Sequence, residues 1–274
     1  MDFFGGFFFS VLGLIMGSFF NVVLCRFPAL PLTGRSRCLS CGTELAAADL
    51  IPVLSYLFLR GRCRFCGSRI SLSYPAVEVL TALLYFGVYA LALPPADTLF
   101  FLAVISLSIL IFTYDLRHLV IPDHFSYPLA GLGVFSLLFM LTPFTFAPAP
   151  LSAWIAGPLL AFPFFLVWLL SRGTWMGLGD AKLVVGIGAL LGLSGGVSAL
   201  FIAFWSGAFV GILLLLVPRL FGSIPPRLFA AGGNHFTMKS ELPFGPFLVI
   251  GFWIVLFFGV TFSDILTLFS YAPW

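Results

Sequence analysis

A chain of 274 residues that is 61% hydrophobic and only 8% charged is not an ordinary soluble domain, in which about a quarter of the residues are charged. Its mean hydropathy is +1.15, and many of its apolar runs approach the roughly 18–20 residues that span a bilayer as helix. An all-α polytopic membrane protein follows, and the continuous rather than alternating runs exclude a membrane β-barrel.

About eight transmembrane helices are predicted, over 3–24, 74–93, 97–115, 125–142, 150–171, 181–195, 198–217 and 246–266. Met1-Asp2 offers no basic n-region, so the first run reads as a retained helix rather than a cleaved signal. Cys25, at its end, reads as a small packed apolar residue. The sizeable polar insertion is 26–73, between the first two helices. Later runs are divided by Pro94-Pro95, Pro143, Pro148-Ala149-Pro150 and Pro225-Pro226, and the sixth and seventh by Ser194-Gly195-Gly196.

With this span count, all thirteen Lys and Arg residues fall on one side. Arg26, Arg35, Arg37, Arg60, Arg62, Arg64 and Arg69 follow the first span, and Arg117 follows the third. Arg172 and Lys182 flank the loop after the fifth, and Arg219, Arg227 and Lys239 follow the seventh. The positive-inside rule makes that side cytoplasmic. The opposite side carries Asp2, Asp97 and Asp264, and both termini are expected there.

The polar insertion holds Cys38-Leu39-Ser40-Cys41 and Cys63-Arg64-Phe65-Cys66, two CxxC pairs with 21 residues between them. Cys38, Cys41, Cys63 and Cys66 are the candidate ligands of a tetrahedral structural Zn²⁺. Gly42 and Gly67 follow the two pairs, as a tight knuckle turn favours. A reducing cytosol argues against two disulfides, and four thiolates leave no open position for catalysis. The expected organisation is a first helix over 1–25, a cytoplasmic zinc-knuckle domain over 26–73 and a membrane domain over 74–274. Arginines near the knuckles suit anionic membrane lipid.

Among only ten acidic residues, two stand out. Asp115 ends the third run, and Asp180 opens the sixth within Gly177-Leu178-Gly179-Asp180-Ala181-Lys182. A carboxylate at a helix N-terminus is favoured by the helix dipole, whereas one at a C-terminus is disfavoured. Capping therefore suffices for Asp180 and fails for Asp115. Both lie at the same membrane boundary, so they are able to meet. Two neighbouring carboxylates do not readily both ionise; one then serves as acid while the other activates water. Gly177 and Gly179 allow close backbone approach, as an extended substrate requires. Asp123 directly precedes the fourth run and reads as its N-cap. Glu78 reads as a first-turn acid of the second run, stabilised by the helix dipole.

These residues resemble the bacterial type IV prepilin peptidases, bifunctional enzymes of the GxGD aspartyl class. The likeness runs nearly end to end: Gly17-Ser18-Phe19-Phe20-Asn21 to Arg26-Phe27-Pro28, Arg35-Ser36-Arg37-Cys38, Asp49-Leu50-Ile51-Pro52, Tyr74-Pro75 with Glu78, Ile121-Pro122-Asp123, the glycine-flanked Asp180 and Pro243-Phe244-Gly245-Pro246. The resemblance implies that Asp115 and Asp180 are catalytic, with Gly177, Gly179, Lys182 and Asp123 in support. It implies an inner-membrane, multi-pass endopeptidase that removes the short basic leader of type IV prepilins and type II secretion pseudopilins at the cytoplasmic face. It further implies N-methylation of the new N-terminus with S-adenosylmethionine. Ser73 stands where the family pattern has a basic residue, and Cys25 where it has a larger one. No nucleic-acid partner is expected. The alternatives are a peptidase without methyl transfer, and a carboxylate-dependent ion transporter with a regulatory zinc domain. Transport carboxylates usually lie near the midplane rather than at the membrane edge.

Overall fold

In the computed structural model, residues 2–139, 150–221, 242–262 and 264 are described. The expected turns at Pro143, Pro148-Ala149 and Pro225-Pro226, and the basic residues Arg227 and Lys239, lie outside them. The described residues form helices α1 (Phe3–Arg26), α2 (Leu54–Phe58), α3 (Ser73–Ala90), α4 (Pro95–His118), α5 (Asp123–Phe139), α6 (Pro150–Ser171), α7 (Leu178–Phe221) and α8 (Gly245–Phe258), with a 3₁₀ turn over Ala47–Leu50. Among them, β-pairing is limited to the isolated bridges Arg37–Glu44 and Arg62–Arg69.

Four helical stretches are long and apolar enough to cross a membrane: Phe3–Arg26, Pro95–His118, Ser152–Ser171 and Leu178–Leu216. The 24 residues of α1 rise about 36 Å, more than a hydrocarbon core. Phe3, Phe4, Phe7 and Phe8 stand exposed at its start, as lipid contact requires. The 44 residues of α7 are interrupted at Gly192, which is non-helical at φ 71° and ψ −174°. The break expected at Ser194-Gly195-Gly196 therefore falls at Gly192, where only glycine takes up the required backbone conformation without strain. Gly196 instead seats the Leu160 side chain, with no room for a Cβ.

The chain divides into two compact units, Met1–Leu110 and Ile111–Trp274. In the first, α1 packs on α3. The approach is close because a Cβ on Gly13 would lie 2.6 Å from Ala82 Cα, and one on Gly17 2.7 Å from Glu78 Cα. Small residues at such crossings replace the hydrophobic drive that lipid removes. In the second unit α7 is central and packs on α5, α6 and α8. Gly188 meets Gly157 there: a Cβ on Gly188 would lie 2.7 Å from Gly157 Cα.

Two expectations in the first unit need correction. Cys25 is exposed rather than packed, and its Sγ lies 3.2 Å from Tyr74 Oη. Helix α3 begins at Ser73, so Glu78 is beyond the first turn, and the dipole does not explain it. It is buried, at 8% exposure, and its Oε2 accepts the Val53 N–H at 2.7 Å. Arg26 also orders the loop that follows α1. Its guanidinium donates to the carbonyls of Pro31, Leu32, Thr33, Gly34 and Arg35, wrapping that loop around one side chain.

Candidate active site

Asp115 lies in the last turn of α4 and is buried, at 4% exposure. The helix stops just beyond it. Leu119 is left-handed at φ 57°, and its N–H donates to the Asp115 carbonyl at 2.9 Å, satisfying a carbonyl at the helix end. The chain then turns through Ile121-Pro122. The Pro122 carbonyl receives the N–H groups of Phe125 and Ser126, both at 3.1 Å, and so opens α5.

Asp180 sits half-buried in the first turn of α7. Its carboxylate interacts electrostatically with that of Asp115. The two acids that stand 65 positions apart in the sequence therefore share one site within the second unit.

A third segment completes it. The backbone N–H of Gly245, at the start of α8, donates to the Asp115 carboxylate. A Cβ on Gly245 would lie 2.5 Å from Asp115 Oδ2 and 3.0 Å from Ile121 Cδ1. A Cβ on Gly179 would lie 2.9 Å from Ile121 Cβ. Ile121 is thus the buried wedge between the backbone before Asp180 and the backbone that holds Asp115. Phe244 fixes the neighbouring turn, with ring centroids 5.0 Å from Phe204 and 6.1 Å from Phe164. Neither Ile121 nor Gly245 announces a role by residue type. Both lie in segments that carry the family resemblance, and that was the available signal.

The supporting residues separate into distinct roles. Gly179 is required by Ile121. Gly177 is not crowded: the nearest atom to a Cβ there is Gly179 N at 3.9 Å. The Asp123 side chain is an ion-pair partner rather than simply an N-cap. Lys182 Nζ lies 2.7 Å from its Oδ1 and 4.9 Å from the centroid of the Tyr127 ring. This pair joins the N-terminal ends of α5 and α7.

In the first unit, Cys38, Cys41, Cys63 and Cys66 bring their Sγ atoms within 4.8 Å of one another. Two matching turns build the cluster. Cys38 N–H donates to Thr43 O and Gly42 N–H to Cys38 O; Cys63 N–H donates to Ser68 O and Gly67 N–H to Cys63 O. Gly42 and Gly67 are left-handed, at φ 73° and 69°, as the sequence predicted. The backbone N–H groups of Cys41 and Ser40 draw the Cys38 thiol down to about 6, so the thiolate a metal needs is favoured. The Ser68 hydroxyl, 3.1 Å from Cys66 Sγ, lowers that thiol as well. Four converging sulfurs, with the Cys38 and Cys66 thiols lowered, fit a tetrahedral zinc ion. Arg64, inside the second turn, pairs with buried Asp49 at 2.8 Å and anchors the cluster to the 3₁₀ turn that lies between the two CxxC pairs.

Two family models match the chain. Residues 11–92 match the bacterial peptidase A24 N-terminal domain, and residues 102–212 the type IV leader peptidase family. A prepilin leader peptidase/N-methyltransferase of Bacillus subtilis is 34% identical over 263 residues, covering 91% of this chain and 92% of the relative. The chain belongs to the type IV leader peptidase family. Family members bearing the same name in Vibrio cholerae and Dichelobacter nodosus are 32% and 30% identical, covering 91% and 98% of this chain and 95% and 96% of the relatives. No solved structure matches this leader peptidase chain.

Proposed function

We propose that this chain is a multi-pass inner-membrane aspartyl endopeptidase and N-methyltransferase, with Asp115 and Asp180 as the cleaving pair. Its substrates are type IV prepilins and type II secretion pseudopilins. The observation that carries the reading is the meeting of two carboxylates from different helix ends, one of them buried and held by the Gly245 amide. Helix capping accounts for neither their proximity nor the burial of Asp115.

One carboxyl of the pair is protonated and the other ionised. The ionised member takes a proton from a water as it attacks the scissile carbonyl, and the protonated member donates to the carbonyl oxygen. The proton taken from water then goes to the departing amine. Gly177 leaves space for an extended substrate backbone beside Asp180. The Lys182–Asp123 pair holds the starts of α5 and α7 in register.

The distribution of thirteen basic residues supports a cytoplasmic site with both termini opposite. The eight spans of this reading are α1, α3, α4, α5, α6, α8 and the two parts of α7 on either side of Gly192. The basic leader of a precursor stays cytoplasmic by the same rule, which puts its scissile bond at the boundary where Asp115 and Asp180 lie. The 26–73 segment is a zinc domain in which Cys38, Cys41, Cys63 and Cys66 hold a structural Zn²⁺. S-adenosylmethionine supplies the methyl group for the new N-terminus.

The test is leader removal from a prepilin by the purified full chain. Asp115→Asn and Asp180→Asn each lower the cleavage rate at least about 100-fold, the lower end of what general acid–base groups contribute. Retention of the full rate by either variant contradicts the assignment.

A further inference from the structure

Between α1 and α3 lies a set of hydrogen-bond acceptors that cleavage does not use. Glu78 is buried, yet the ion pairs among the described residues do not include it. Its carboxylate accepts the Val53 N–H and the Ser18 hydroxyl. A carboxylate has about four acceptor sites, so it retains capacity for another donor.

Asn21 stands about one turn along α1 from Ser18. At 4% exposure it is more than nine-tenths buried. Its Nδ2 donates to Tyr74 O at 3.0 Å, which fixes the amide orientation, because a carbonyl accepts only from the NH₂ end. Asn21 Oδ1 is left buried without a partner. Such an orphaned acceptor carries a desolvation cost and calls for a donor. Gly17 brings α1 against Glu78 itself, and Asn21 meets Tyr74 one turn away on α3. The two acceptors therefore lie in adjacent turns of the same α1–α3 crossing, joined through Ser18, which bonds Glu78 and stands one turn from Asn21.

Beside them opens a groove of about 260 Å³ lined by Ser18 and Ser36 and by the apolar Ile15, Phe19, Val22, Leu50 and Pro52. Pro52 precedes Val53, whose N–H is held by Glu78 and whose backbone is left-handed at φ 59°. One end of this site thus accepts hydrogen bonds and the other is apolar. A primary ammonium followed by apolar side chains has the complementary form: three N–H donors and a positive charge, then hydrocarbon.

We propose that Glu78 and Asn21 bind the free N-terminal amine of the processed pilin for methyl transfer, with its first apolar residues in the adjoining groove. The proposal rests on the N-methyltransferase activity in the reading above, and is independent of the Asp115–Asp180 assignment. Glu78 takes one proton from the bound ammonium and frees the nitrogen lone pair. That pair forms the N–C bond to the methyl carbon of S-adenosylmethionine. The C–S bond breaks, and its electrons stay on sulfur as a thioether. The product leaves as an N-methyl ammonium, and Glu78 releases its proton to water.

The experiment uses the full chain in detergent and a synthetic peptide of the first residues of a mature pilin, with its N-terminus either free or acetylated. The unaltered protein binds the free-amine peptide about tenfold more tightly than the acetylated one, the value of a charge-assisted hydrogen bond. Glu78→Gln, which keeps an acceptor for Val53 N–H, brings the two affinities within about twofold. The same variant lowers the methylation rate of pilin supplied already cleaved by about 100-fold. Equal preference for the free amine in Glu78→Gln, or no preference in the unaltered protein, overturns the proposal. Failure of the unaltered protein to methylate cleaved pilin overturns the methyltransferase reading with it. Loss of methylation by Glu78→Gln with its amine preference intact also rejects amine binding.

Discussion

Gly177 and Gly179 are two residues apart and face different demands. A side chain at 179 must share space with Ile121, whereas one at 177 meets open space within the chain. Gly179→Ala is expected to destabilise the fold by about 1–3 kcal/mol through overpacking, read as a fall in Tm. Gly177→Ala leaves Tm unchanged and lowers kcat/KM for prepilin by about tenfold, because the crowding appears only when substrate is bound. Gly245 is more exacting still. A Cβ there would press on Asp115 Oδ2 from 2.5 Å, so Gly245→Ala displaces the carboxylate and lowers the cleavage rate about 100-fold, the penalty of a misplacement near 1 Å. At this scale the sequence made the acids legible and their surroundings obscure. A carboxylate in an apolar run is conspicuous. Ile121 resembles any other apolar side chain, and the partner of Glu78 is a backbone amide 25 residues away. Asp123 was read from its place before a helix. Its ion pair with Lys182 spans 59 residues, which local capping rules do not reach.

Among the elements, the knuckle turns were the most legible, because their geometry depends on neighbouring residues. Each CxxC pair is followed by a glycine that takes the left-handed turn, and backbone N–H groups within the turn stabilise thiolate. The Cys38 thiol is lowered to about 6 first by the Cys41 N–H and then by that of Ser40. A lowered thiol favours the folded turn above the ordinary thiol value, and that advantage is lost as pH falls through about 6. Protons displace the metal in the same direction. Zinc content measured after dialysis is therefore expected to hold at neutral pH and to fall as pH drops below about 6. Cys38→Ser loses zinc already at neutral pH. The α7 break was harder to place. Three small residues at Ser194-Gly195-Gly196 suggest an interruption, but Gly195 and Gly196 are buried and Gly196 makes room for Leu160. The interruption falls at Gly192, and composition does not distinguish a glycine needed for packing from one needed for its backbone angles.

For the whole molecule, the asymmetry of charge is the strongest constraint on how the chain lies in a membrane. Asp97 stands in the first turn of α4 and Arg117 in its last, and the proposed topology assigns the first to the side without basic residues and the second to the basic side. In a Cys25→Ser background that retains Cys38, Cys41, Cys63 and Cys66, an impermeant thiol reagent is expected to add label over that parent at Asp97→Cys from the periplasmic side and at Arg117→Cys from the cytoplasmic side. The reverse pattern contradicts the orientation and would move the carboxylates to the wrong face for a basic leader. The family's two matched regions cover both ends of the scheme, an N-terminal stretch with the cysteine cluster and a later stretch with both acids. Everything proposed for cleavage converges on the two acids acting as one unit. The most direct measurement is the prepilin cleavage rate of Asp115→Asn, Asp180→Asn and the double variant, each checked for folding by zinc content. A shared site predicts that each single variant falls at least about 100-fold and that the double falls no further, as residues acting together are non-additive. A single variant within about tenfold of the unaltered rate, or losses that multiply in the double, contradicts a dyad of Asp115 and Asp180.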